Sequence, residues 1–315
     1  MNNLKKMTIA NFNITFGQEE EPLLDYFDTI FMPAITNGIT RKLGDAEYLL
    51  SHITVNYIYD NYVLSGVIVK KTELEILSKY DELSDELLKT NELYDTAPYS
   101  IFTIFLKNHR MAYVSNQKGS PSLKSFSATI NYILRTFIGE ENKKRKSRNL
   151  ELLPYAMVNI VGIPMREDVH SIITNVAKIN KLTLKFYPLN GDLDYGEIFD
   201  GLTTDIRKAL GSKTGSTTFN SPTSTDGIVE LLDKAQGTVE PTFYVTYPDK
   251  KKGKISNYEL SESLTIDMPS DGIEHEINTV IKNSVSMGSI QRVSDENIHI
   301  FKKNMHKILE YIKKG

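Results

Sequence analysis

"EENKKRKSRN", residues 140–149, is charged at seven of ten positions and carries no large apolar side chain. Its reading decides the architecture, because well-patterned apolar sequence lies on both sides. A charged stretch without a hydrophobic period reads as a connector. It therefore predicts an N-terminal α+β domain over 1–139, a basic linker over 140–153 and a C-terminal α+β domain over 154–315. The fold class is α+β with two domains, each a mostly antiparallel or mixed sheet carrying amphipathic helices.

Working back from the connector, "SPSLKSFSATINYILRTFIG" places Leu123, Phe126, Ile130, Ile133 and Phe137 on one helical face. Ser120 is the expected cap, Pro121 the first helical residue and Gly139 the stop. Upstream, "YSIFTIFLKNHRMAYV" and "ITVNYIYDNYVLSGVIVKK" are β-branched and aromatic runs broken by turn-capable pairs, so each predicts a hairpin. Phe12, Ile14 and Phe16 alternate with Asn13 and Thr15, the period of a half-buried strand. Leu23 to Ala34 follow helical spacing behind Pro22.

Working forward, "YAMVNIVGI" reads as a strand, Arg166 to Ile179 as a helix and "KLTLKFYPL" as a second strand. Two strands joined through one helix predict a parallel β-α-β unit. Further helices are expected at 228–235 and 271–283. The final helix has its seam at Ile298, Phe301, Met305, Ile308 and Ile312, with Ser294 as its cap.

With 315 residues, 40% hydrophobic, there is enough apolar sequence for a sizeable core. The absence of Cys removes disulfides, thiolate metal sites and Cys nucleophiles. No run approaches the roughly 20 apolar residues of a membrane span. These features predict a cytoplasmic protein. A net charge of −3 gives no global attraction to polyanions, so such a partner must meet a local patch.

Three local patches exist. The first is Lys143, Lys144, Arg145, Lys146 and Arg148. The second is Lys250, Lys251, Lys252 and Lys254, at an expected hairpin tip. The third is Lys302, Lys303 and Lys307, off the seam of the last helix. Clustered cations gain affinity for a phosphate backbone by releasing its condensed counterions. Exposed connectors and helix ends carry lysine for solubility and dipole reasons too, so a shared face is what would turn the clusters into a site.

"GSKTGSTTFNSPTSTDG", 211–227, has the glycines and hydroxyls of a phosphate loop but fails its spacing. Ser212 precedes Lys213-Thr214, and the element before it reads as a helix, whereas a phosphate loop follows a strand. It is expected as a solvated connector, suited to a protein partner or a second copy of the chain. Asp192, Asp194 and Glu197 precede a helix without completing a calcium loop. No dinucleotide fingerprint, nucleophile elbow or cofactor motif appears.

The segments "VLSGVIVKK" (63–71), "IFLKNHRMAYVSNQKGSPSLKSFSATINYIL" (104–134) and "LTLKFYPLNGDLD" (182–194) resemble, at the level of pattern, an uncharacterised bacterial family found in phage-defence and mobile-element neighbourhoods. The resemblance covers about two thirds of the chain. It implies a setting, host–phage conflict, and carries over no catalytic residue. Together with the patches it predicts a non-catalytic nucleic-acid-binding or sensing component of a defence assembly. The alternatives are a metal-dependent nuclease using Asp192, Asp194 and Glu197, and an interaction subunit without a nucleic-acid role.

Overall fold

A computed structural model of the chain describes residues 3–189 and 206–312. In chain order its first strands are β1 (Leu4–Phe16), β2 (Glu21–Pro22), β3 (Arg41–Leu43), β4 (Ala46–Ile58), β5 (Asn61–Asp81), β6 (Glu86–Thr96), β7 (Tyr99–Phe105) and β8 (Arg110–Ser115). Between β2 and β3 the chain winds through a 3-10 turn, a π turn and a short helix, α1 (Met32–Thr36). The two expected hairpins form as β4–β5 and β7–β8. Tyr59 and Asp60 both take positive φ at the first turn, and His109 does at the second.

The next helix, α2, runs from Leu123 to Ser147. Its cap is Ser122, whose side chain accepts from the Ser125 N–H, whereas Ser120 accepts from the Gln117 N–H in the preceding turn. Gly139 does not stop it. A glycine inside a helix costs about 1 kcal/mol relative to alanine, and the apolar face packed over the preceding turns carries the helix through. Residues 140–147, expected as linker, are the final two turns of α2. The strand after it, β9 (Ala156–Gly162), pairs antiparallel with Ala10–Phe16 of β1. Sequence on both sides of 140–153 therefore shares one sheet, and the change of sheet comes at Gly162.

The expected β-α-β unit is not formed. After β9 and α3 (Arg166–Thr174), β10 (Lys178–Phe186) enters a separate four-stranded sheet and runs antiparallel to both neighbours. A free edge on β1 takes β9, and sequence pattern gives no information on which edge is free. Residues 211–227 also differ from the connector expected there. They contain an edge strand, β11 (Gly215–Asn220), and the start of α4 (Thr225–Ala235), capped by Ser224. With β12 (Val239–Thr246) and β13 (Lys252–Ser256) the small sheet has the order β11-β10-β12-β13. Leu182, Leu184, Phe186, Phe243 and Val245 point inward against Val169, Ile173, Ile228 and Leu232 of α3 and α4.

The chain then returns through a short helix, α5 (Asn257–Leu260), and β14 (Ser263–Asp267), which pairs with Leu4–Thr8 of β1. At the neck, beside main-chain bonds such as Glu262 N–H to the Ile163 carbonyl, the buried Asn257 accepts from the Gly162 N–H at 2.7 Å and donates to the Gly162 carbonyl at 2.8 Å. Three helices follow, α6 (Ile273–Ser284), α7 (Gly288–Gln291) and α8 (Asp295–Leu309), the last capped by Ser294 as expected.

The large sheet has ten strands, in the order β14-β1-β8-β7-β5-β4-β3 with β2, β6 and β9 attached. Phe12, Ile14 and Phe16 face α1, α2 and α8. Met7 and Ile9 face the opposite way, toward α6. Asn11, Asn13 and Thr15 share that second face but are buried, not solvated as a half-buried strand predicts. Asn13 donates to the Pro188 carbonyl, and the buried Arg110, opposite Asn11 in the register, donates to the Gln236 carbonyl at 2.8 Å. The small-sheet unit thus covers the polar row. The protein is α+β, and no described helix is long and apolar enough to cross a membrane.

Candidate nucleic-acid interface

The residues of β10 alternate between two fates. Leu182, Leu184 and Phe186 enter the core of the small sheet, while Lys181, Thr183 and Lys185 point to the other side. Residues opposed in an antiparallel register share a face, so the outer surface can be read across the strands. Asn220, Lys181, Tyr244 and Lys254 form one row over β11, β10, β12 and β13. Thr218, Thr183, Thr242 and Ser256 form the next. Lys178, Thr246 and Lys252 lie at one end of this face, and Ser216, Lys185 and Glu240 at the other.

Among the described strand residues, one face therefore carries Lys178, Lys181, Lys185, Lys252 and Lys254, with Glu240 as its single carboxylate. Strands lie about 4.8 Å apart and side chains on one face recur every ~7 Å along a strand, so these ammonium groups form a grid. Tyr244 sits in its middle and is 38% exposed. Lys181 Nζ lies 4.2 Å from its ring centroid, and Lys254 opposes it on the other flank. Thr183 and Thr218 share a hydroxyl hydrogen bond at 3.2 Å. Glu240 accepts from the Tyr187 hydroxyl, whose pKa is pushed up by burial and by that carboxylate.

Chemically this is a cationic, hydroxyl-rich plane with a π surface at its centre. Lysines supply attraction to phosphates, hydroxyls supply hydrogen bonds, and an exposed ring stacks on a base whatever its identity. Among the described residues of this face, no nucleophile is paired with a base.

The expected clusters divide three ways. Lys252 and Lys254 join the grid, while Lys250 and Lys251 sit in the tight turn leading to it, with Lys251 2.8 Å from Asp249. Lys143, Lys144, Arg145, Lys146 and Arg148 lie on the last turns of α2 and just beyond. There Lys144 pairs with Glu141 at 2.7 Å, and Arg145 donates to the Glu151 carbonyl at 3.0 Å. Lys302 is exposed on α8, but its two companions hold that helix in place. Lys303 lies 2.9 Å from Asp25, and Lys307 donates to the Leu24 and Asp25 carbonyls.

Lys178, Lys181, Lys185 and Tyr244 escape a search for charge runs, because each is the polar half of an alternating strand. Their signal was the alternation itself: lysine at two of the outward positions of "KLTLKF". Asp192, Asp194 and Glu197 lie outside the described residues. Among the described residues, no group of three or more His, Asp or Glu side chains could hold a metal ion. A cleft of about 400 Å³ between β4 and α6 is lined by His52, Asn56 and Glu274 together with Tyr57, Ile58 and Ile277. No protein-family model matches the chain, and no curated protein matches it.

Proposed function

We propose that the protein binds single-stranded nucleic acid on the outer face of the small sheet and does not cut it. The observation that carries the reading is the arrangement of five lysines around one exposed tyrosine on a four-stranded antiparallel plane. A flat lysine grid follows a flexible phosphate chain, and Tyr244 offers the stacking surface that unpaired bases present to it. A duplex keeps its base faces stacked inside and would leave Tyr244 idle. The resemblance to a family from phage-defence neighbourhoods supplies the setting, host–phage conflict, in which the bound strand would be sensed.

The test is fluorescence anisotropy with labelled oligothymidylate, oligouridylate and a duplex, titrated across about 50 to 200 mM salt. The intact protein is expected to bind single strands more tightly than duplex, with log affinity falling linearly in log salt. Combining Lys181→Ala, Lys185→Ala, Lys252→Ala and Lys254→Ala should flatten that slope by about 0.7 for each phosphate the variant no longer neutralises. An intact protein that binds no oligonucleotide at low salt ends the proposal. Magnesium-dependent shortening of the strand in the same tubes would move the assignment to a nuclease.

A further inference from the structure

Beyond Lys71 and Tyr99 the large sheet ends, but β5 does not. Its last ten residues, Thr72–Asp81, pair only with β6, as a two-stranded ribbon extending about 30 Å from the body. Every described ion pair and side-chain hydrogen bond past Thr72 stays within it, such as Lys79 with Glu92 and Ser84 with Asp81. A lone hairpin of this kind is marginal in water, and β6 leaves one backbone edge open.

Two properties say what should cover it. Leu74, Leu77, Leu87 and Leu93 are each more than half exposed, and Leu83 at the tip is 98% exposed. Of residues 72–96, eight are Asp or Glu and two are Lys, a net charge of −6 in a chain whose total is −3. The remaining chain is thus +3, and the lysine grid is a concentrated positive surface on it, carried by a small sheet whose outermost strands among the described residues are β11 and β13. Two such ribbons laid against each other would oppose −6 with −6. A ribbon laid on the grid opposes −6 with five lysines and gives its leucines Tyr244 and the lysine stems to pack on.

We infer that the acidic ribbon of one copy docks on the lysine-lined sheet face of a second copy. The docking stands without the nucleic-acid reading. A consequence that does rest on it is competition: a strand bound to the grid displaces the ribbon, so self-association and nucleic-acid binding exclude each other.

The experiment is analytical ultracentrifugation of the full chain, free of nucleic acid, at low and high salt. Association at low salt that reverses with added salt is expected. A ribbon variant (Glu73→Lys, Glu75→Lys, Asp95→Lys) and a face variant (Lys181→Glu, Lys185→Glu, Lys254→Glu) should each shift to the monomer. Mixed together they should associate again, because the native ribbon of the face variant now meets the native lysine face of the ribbon variant. Circular dichroism checks that both variants are folded. A monomeric intact protein at low salt overturns the inference, as does association that survives both reversals. Loss of association in the ribbon variant alone also overturns it, since the grid would then have no part. Anisotropy on the intact chain reports separately on the nucleic-acid reading, so either can fail without the other.

Discussion

Lys181 and Tyr244 face each other across neighbouring strands, with the ammonium nitrogen 4.2 Å from the ring centre. The ammonium covers one face of the ring, so a base stacked on the other face of Tyr244 brings its phosphate near a positive charge. Tyr244→Ala is expected to cost about 1–3 kcal/mol of single-strand affinity, and Tyr244→Phe far less, because the π surface stays. Anisotropy on both variants decides whether the ring or the hydroxyl matters.

Lysines on α8 should behave differently from those on the grid. Lys307 donates to two main-chain carbonyls of the 3-10 turn and lies 3.8 Å from Asp28. Lys307→Met is expected to lower stability by about 1–2 kcal/mol and to leave oligonucleotide affinity and its salt slope unchanged. Thermal melts read beside anisotropy give both numbers from one preparation.

The neck at Gly162 predicts a steep cost for a single methyl. A Cβ there would meet Ser261 Oγ at 1.7 Å and Asn257 Oδ1 at 3.1 Å. Gly162→Ala must push α5 off the backbone it clamps, with an expected loss on the order of 3 kcal/mol. Asn257→Ala should cost a similar amount by leaving the Gly162 N–H and carbonyl unpaired. Urea unfolding would show both.

Acid should loosen the protein through His109. Its ring is buried at the β7–β8 turn beside Arg110, and among the described residues neither ring nitrogen has a hydrogen-bond partner. Burial first, and the neighbouring guanidinium second, hold its pKa down at about 3 against an ordinary 6.5. The folded state therefore keeps the ring neutral while the unfolded chain takes up a proton. This contribution is complete above pH 6.5 and is lost as pH falls toward 3, at about 1.4 kcal/mol per unit. His109→Asn, which tolerates the positive φ, should remove that part of the slope in urea titrations between pH 7 and pH 4.

Periodicity was enough for the α+β class, because alternation and helical spacing are local and each buried face leaves its own mark. Phe12, Ile14 and Phe16 announce a strand whichever neighbours it finds. Strand partners were not legible: the edge of β1 that receives β9 depends on pairing between residues about 150 positions apart. The charged run at 140–149 misled because the exposed end of a helix and a linker have the same composition. At the candidate site, Lys252 and Lys254 stood out as part of a run. Lys181, Lys185 and Tyr244 became neighbours only once four strands lay side by side.

β1 is enclosed along one edge by β9 and β14 and along the other by β8 and β2. On the ribosome, residues 4–16 leave the exit tunnel about 250 residues ahead of the strand that covers their first half. Until β14 emerges, the nascent chain leaves the edge of β1 at Leu4–Thr8 open. Chaperone capture of that edge, and slow completion after release, are the expected costs of closing the first strand with one of the last.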